Sequence, residues 1–347
     1  MVALAPKILQ IRVQGFRRLH APFALDLRSP RGSALSTVVL AGPNGCGKTS
    51  VLEAILLGLG QDALLRRDQE PKEREVASRA ELPAGARIEL TLSLDGGPEE
   101  TWLRTRDIFL RRTSDGTEEH FDRGDVSSRL ALRVEYFSSW RWPRLIGSVV
   151  PLAPGRPPSV TEANRLWRVK RRIADERARV GFQQTPIPGL GKADEWLRRI
   201  NEVWQSFHGN DDTRIDIRLV EPSNEEEALQ ADLFVMKDQE PICSVDDLSA
   251  GELELLSLSD WFILRDVGQA LVLIDEPELH LHAQWQATIA RSLRQMAPEA
   301  QLVMATHSPI IWDQAYSFER FLLVPDDDPR SGEWRARPPE SPRVQSA

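Results

Sequence analysis

The chain has 347 residues, 41% of them hydrophobic and 28% charged, and a formal net charge of −8 at pH 7. That apolar content is enough to fold and excludes broad disorder, while the acidic balance excludes a uniformly basic surface, though not local basic patches. The apolar runs at 51–59 and 270–274 fall far short of the roughly 20 residues a membrane-spanning helix needs, so no membrane partner is expected.

Residues 1–10 run into a charged strand-like segment without a small-residue cleavage site. The two cysteines, Cys46 and Cys243, make no disulfide framework, because Cys46 lies in a loop that a disulfide would distort. A cytoplasmic, reducing location is expected.

Alternation at 7–13 and 23–27 and a β-branched apolar run at 36–40 predict strands. A helix follows at 48–59, with Val51, Leu52, Ile55, Leu56 and Leu59 on one face. The chain is then polar to about residue 80, and strands resume at 86–94, 101–111 and 130–137. A proline-rich linker at 151–158 leads to two helical segments separated by a Pro/Gly turn at 185–191, which looks like an inserted helical hairpin. The first, 161–180, carries Leu166, Val169 and Ile173 on one stripe and Arg165, Arg168 and Arg172 on another. The second carries Trp196, Leu197, Ile200, Val203, Trp204 and Phe207 on one face. Strands are expected at 213–220 and 231–236, then a polar turn, a helix from about Gly251, an apolar strand at 270–274, a helix at 283–296 and strands at 301–305 and 321–324. The rest is a loose tail. The division expected is an N-terminal lobe at 1–150, a helical insertion at 151–210, a C-terminal lobe at 211–325 and a flexible tail at 326–347.

Gly42-Pro43-Asn44-Gly45-Cys46-Gly47-Lys48-Thr49 fits G-x-x-x-x-G-K-[ST] between an apolar strand and a helix. The glycines let successive backbone N–H groups point into one concavity, and the helix N-terminus adds positive potential for phosphates. Asn44, Gly45, Cys46, Gly47, Lys48, Thr49 and Ser50 are therefore expected to hold ATP. Lys48 reaches the β and γ phosphates, and the Thr49 hydroxyl sits on Mg2+. The apolar strand 271–274 ends in Asp275 and Glu276. Acids at that edge point to the ligand crevice, Asp275 as a metal ligand and Glu276 polarising the attacking water.

Two further segments make the pattern specific. Leu248-Ser249-Ala250-Gly251-Glu252 resembles the ABC signature motif, and Ala305-Thr306-His307-Ser308-Pro309 resembles its switch histidine. Gly15-Phe16-Arg17-Arg18 is similar to the opening element of RecF and chromosome-maintenance (SMC) ATPases. Glu278-Leu279-His280-Leu281-His282 is similar to the RecF-like and OLD-like AAA subgroup of DNA repair and phage defence. The resemblance is to the ABC-type P-loop ATPases of the RecF/SMC/OLD-like (AAA_15/AAA_21-like) branch, and it covers roughly residues 7–325.

The resemblance implies an α/β P-loop NTPase with an ABC-type head, a mixed β-sheet core, an antiparallel N-terminal subdomain and a helical insertion. It implies an ATPase active as an ATP-dependent, head-to-tail homodimer, in which Ser249 and Gly251 of one subunit face the γ-phosphate held by the other, with Glu252 counted among the nucleotide-site residues. His307 would contact that phosphate, and Arg17 would touch the nucleotide. Ala250 and Glu252 depart from the usual signature, and 136–144, where the family has a glutamine-bearing loop, contains no glutamine. The forty residues after His307 leave no room for a TOPRIM nuclease domain, so a separately encoded effector such as a nuclease is expected. The alternatives are an ATP-gated scaffold with little hydrolysis and a transporter energy-coupling subunit, which residues 278–282 disfavour.

For partners, the arginines of 161–180 offer either a basic face for nucleic-acid phosphates or a solvated surface. Trp140 and Trp142 around Arg141 offer either base stacking or core anchors. His280 and His282, at i and i+2, point to different helix faces, and no zinc site is expected.

Overall fold

The computed structural model describes residues 4–66, 81–121, 130–141, 147–151, 165–181, 191–209, 212–220, 230–264 and 269–324. The expected polar stretch at 67–80, most of the proline-rich linker, residues 161–164, most of the turn at 185–191 and the tail at 326–347 lie outside them. The chain divides into two units: Met1–Trp140 with Val267–Glu278 and Ile289–Ala347, and Arg141–Asp266 with Leu279–Thr288.

The first unit holds two sheets. β1 (Pro6–Gln14), β2 (Phe23–Asp26), β4 (Arg87–Leu94), β5 (Glu99–Thr105), β6 (Phe109–Arg112) and β7 (Glu118–His120) form an antiparallel sheet in the order β2-β1-β4-β5-β6-β7. Their alternation buries every second side chain, for example Ile88, Leu90 and Leu92 on β4. The single strand expected at 101–111 is a hairpin instead. The Thr105 hydroxyl accepts from the Ile108 N–H at 3.0 Å, and the Thr105 N–H donates to the Ile108 carbonyl at 2.8 Å, closing a tight turn without glycine.

The second sheet contains β3 (Thr37–Ala41), β8 (Val134–Phe137), β12 (Leu271–Asp275), β13 (Gln301–Thr306) and β14 (Arg320–Leu322), ordered β14-β3-β13-β12-β8 with every pair parallel. Helix α1 (Lys48–Gly58) packs on β4 and β5 of one sheet and on β12 and β13 of the other. The sequence predicts one apolar face, but Ala54, Leu57 and Gly58 are buried as well. A helix covered on both sides needs apolar residues all round.

Gln301 ties β13 to the antiparallel sheet. Its side-chain oxygen accepts from the Ile8 N–H at 2.6 Å, and its amide nitrogen donates to the carbonyls of Ile8 and Leu35 at 2.9 Å each. Ile8 sits where the β1–β4 register slips. The backbone groups freed by that bulge are thus satisfied in a fully buried place.

The second unit contains β9 (Arg214–Val220), β10 (Gln230–Lys237) and β11 (Glu240–Ser244) in an antiparallel sheet ordered β11-β10-β9. It also contains α2 (Arg165–Gly181), α3 (Lys192–His208), α4 (Ala250–Leu258) and α5 (Asp260–Leu264). β11 replaces part of the expected polar turn. Asp238 and Gln239, both left-handed, make a two-residue hairpin loop between paired Lys237 and Glu240. The core joins Leu166, Val169 and Ile173 of α2 to Trp196, Ile200 and Trp204 of α3, as the stripes predict. Helix α6 (Ala283–Met296) starts in this unit and ends in the first, which also holds α7 (Pro309–Gln314).

Candidate functional site

Parallel pairing aligns strand ends. β3, β13 and β12 are neighbours, with Ala41 beside Thr306 and Ala305 beside Asp275. The loop after β3, the acids after β12 and the histidine after β13 therefore share one carboxyl-terminal edge, where ligands bind in open parallel sheets.

The loop 42–47 is built on glycine. A Cβ on Gly42 (φ 150°) would lie 2.2 Å from the Leu323 carbonyl oxygen and 2.8 Å from Cys46 Sγ, and one on Gly47 (φ 101°) 3.0 Å from Leu19. Gly47 precedes α1 with no side-chain cap, so the first N–H groups of α1 are presented to an anion. Lys48 lies folded into the loop, its ammonium donating to the carbonyls of Gly42 at 2.8 Å and Pro43 at 3.0 Å, with His307 Nδ1 at 3.4 Å. Asn44 and Gly45 are exposed, and Cys46, Gly47 and Ser50 are buried. Arg17, left-handed at φ 48°, pairs with the buried Glu53 of α1 and lies over the Phe16 ring.

The Thr49 hydroxyl donates to Asp275 at 2.9 Å. A hydroxyl beside a carboxylate is the oxygen donor set a hard divalent cation takes, so the residues fit Mg2+. Glu276 follows at φ 52°, and its N–H still donates to the Ala305 carbonyl at 2.7 Å. Its carboxylate is 3.9 Å from His307 Nε2, each side chain being about one-third exposed (36% and 35%), so water reaches both. Sequence reasoning missed Glu278: its carboxylate accepts from the Thr306 hydroxyl at 2.8 Å and from the His307 N–H at 2.6 Å, fixing the end of β13. The sequence marked it only as the third acid of the run Asp275-Glu276-Pro277-Glu278 and the first residue of the 278–282 motif, without a role.

In the second unit Ser249 is the N-cap of α4, and Ser249 and Ala250 are exposed. Ser249 and Glu252 form a capping box: the Ser249 hydroxyl and N–H donate to Glu252 at 2.6 and 2.9 Å. Burial pushes the Glu252 carboxyl up, but hydrogen bonds from Ser249 and His208 prevail and hold it below the usual glutamate range. Gly251 is buried, and a Cβ there would meet the His280 carbonyl oxygen at 2.8 Å.

Other expectations are corrected. Arg165 is buried and Arg168 pairs with Asp260, leaving only Arg172 of the three exposed, so these arginines make no open basic face. Arg141 is buried and paired with Glu254 of α4; Trp140 is exposed and so is no core anchor, and Trp142 lies outside the described residues. Residues 277–280 form a turn with His280 at φ 63°, so the helix-face argument for His280 and His282 does not apply. Among the described residues no group of three or more His, Cys, Asp or Glu could hold a metal ion.

The chain resembles known proteins in the same terms. It is 37% identical over 91 residues to "Retron Vc95 probable ATPase" of Vibrio cholerae (23% of this chain, 18% of the relative). It is 42% identical over 77 residues to "Septu protein PtuA" of Bacillus thuringiensis (22% and 19%), and 25% identical over 360 residues to "OLD nuclease" of Thermus scotoductus (92% and 62%). The chain thus spans less than two-thirds of the length of each of these relatives. In fold it is similar to an SMC head bound to the C-terminal winged-helix domain of ScpA (TM-score 0.51, 17% identity, covering 89% of this chain and 92% of that one). It is similar also to an Smc head with an extended coiled coil bound to the C-terminal domain of ScpA, from Pyrococcus furiosus (TM-score 0.51, 14% identity, 89% and 92%). The family model "AAA domain, putative AbiEii toxin, Type IV TA system" matches residues 38–313, and the chain belongs to this AAA_21 family of ABC-type P-loop ATPases.

Proposed function

We propose that this protein binds and hydrolyses ATP with Mg2+, and that ATP joins two copies head to tail to control a nucleic-acid-directed process, anti-phage defence or DNA repair, through a separate effector. The observation that carries the proposal is the shared strand edge where Lys48, Thr49, Asp275, Glu276 and His307 meet. The defence or repair context rests on the RecF-like and OLD-like motifs and on relatives named as retron, Septu and OLD proteins.

In this mechanism the loop N–H groups and Lys48 hold the triphosphate, Lys48 exchanging its two loop carbonyls for phosphate oxygens. Thr49 and Asp275 would hold Mg2+, which supplies charge neutralisation to the phosphates. Glu276 takes a proton from water as its oxygen attacks the γ-phosphorus and the bond to the bridging oxygen breaks, giving ADP and phosphate. His307, held by Glu278, contacts the γ-phosphate. The exposed Ser249 and the uncovered start of α4 suit an anion brought by a second copy.

Turnover and light scattering with and without ATP and Mg2+ test the proposal. The wild type should hydrolyse ATP and E276Q should accumulate as an ATP-bound dimer; K48A should do neither. Unchanged turnover in K48A would overturn the proposal. An E276Q protein that turns over like the wild type would remove Glu276 as the base, and a wild type that assembles with ATP without turnover would remove hydrolysis from the proposal.

A further inference from the structure

The Glu252 carboxylate lies beside the face that Ser249 offers. On charge alone it should repel a triphosphate. The second unit contains an answer to that charge in a residue outside every motif, His208 at the end of α3.

The Glu252 carboxylate is held at both oxygens. One accepts from the Ser249 hydroxyl and N–H, and the other lies 3.1 Å from His208 Nε2. His208 is itself fixed on three sides. Nδ1 is 3.0 Å from the Trp204 carbonyl, the ring stacks on Trp204 at 3.8 Å with planes 18° apart, and the edge of Trp285 closes at 5.1 Å and 64°. A carboxylate only accepts, so Nε2 is the donor where it faces Glu252. The result is a chain from two tryptophans through an imidazole and a carboxylate to an exposed serine.

We infer that His208 is a positioning residue for the signature serine: its hydrogen bond fixes Glu252 and turns that carboxylate away from the incoming phosphate, so that Ser249 and the α4 N-terminus can receive the γ-phosphate of a second copy. This rests on the proposed role of Ser249. His208 does not touch nucleotide, so binding of ATP to a single protomer should be indifferent to it, and only the step that joins protomers should respond.

The test uses the full chain in the E276Q background, with sedimentation at saturating ATP and Mg2+ and, separately, affinity for a fluorescent ATP analogue at low protein concentration. H208F keeps an aromatic ring between Trp204 and Trp285 but donates no hydrogen bond. It should raise the dimer dissociation constant about tenfold and leave analogue affinity within twofold of the parent. H208Q, which restores a donor, and H208F combined with E252Q, which removes the charge, should both recover most of the loss. A merely structural histidine would show neither recovery. Should H208F fail to fold, H208N against H208Q gives the same comparison. An ATP-dependent dimer that S249A disrupts and H208F does not would overturn the role of His208 alone. No ATP-dependent dimer, or one indifferent to S249A, would overturn the proposed function and this inference with it.

Discussion

The Thr49 hydroxyl donates to the Asp275 carboxylate at 2.9 Å, joining the helix after β3 to the end of β12 across 226 residues of sequence. The pair is the oxygen set proposed for the metal, so its loss should show only when metal is present. T49A and D275N should each weaken Mg2+–ATP binding about tenfold, a difference of about 1.4 kcal/mol, and leave binding in chelator almost unchanged. Titration calorimetry with Mg2+ and with EDTA checks this, and equal loss in both would remove the pair from the metal.

Glu276 combines a catalytic assignment with a left-handed backbone at φ 52°, which costs a non-glycine residue roughly 1 kcal/mol. E276Q should lower turnover by about 10²- to 10⁴-fold, the usual worth of a positioned base, at unchanged stability. E276G should lose turnover as completely while melting higher. Turnover and thermal melts on both variants separate the two contributions.

Gln301 answers three buried backbone groups, the N–H and carbonyl of Ile8 and the carbonyl of Leu35. Leucine has similar bulk but satisfies none of them. Q301L should cost about 2–5 kcal/mol, since each orphaned buried group costs roughly 1–3 kcal/mol. Denaturant unfolding gives the number, and a loss under 1 kcal/mol would contradict the role.

Glu252 supplies a pH dependence. Its carboxyl lies below the ordinary 4.5 because Ser249 and His208 outweigh the effect of burial. A group whose folded value is depressed stabilises the fold above its unfolded value and loses that contribution as pH falls through the folded one. The wild type should therefore lose more stability than E252Q as pH falls from about 6 to about 3. Parallel curves for the two proteins would contradict it.

What could be read from the sequence was whatever local backbone chemistry dictates. The loop 42–49 needs its glycines wherever it occurs, and Asp275 and Glu276 end a strand too apolar to lie anywhere but between neighbours. The helices of the second unit show their stripes because each has one covered side. Residues whose meaning depends on a distant partner could not be read. Nothing around Arg141 in the sequence shows a buried ion pair until Glu254 is beside it, and Arg165 belongs to a basic stripe until it is buried. β11 escaped because Asp238-Gln239 makes the hairpin loop without the usual glycine, and Glu278 because the strand end it holds lies 28 residues away.

Helix α1 carries Lys48, Thr49 and Ser50 in its first turn and spends the rest of its length inside the core of the first unit. A ligand on that turn grips the same rod that holds two sheets together, so it cannot leave its stabilising effect in a surface loop. Its binding energy adds to the resistance of the whole unit to unfolding. Heat alone, with no radiolabel or coupled assay, should thus rank nucleotides by how tightly the protein holds them.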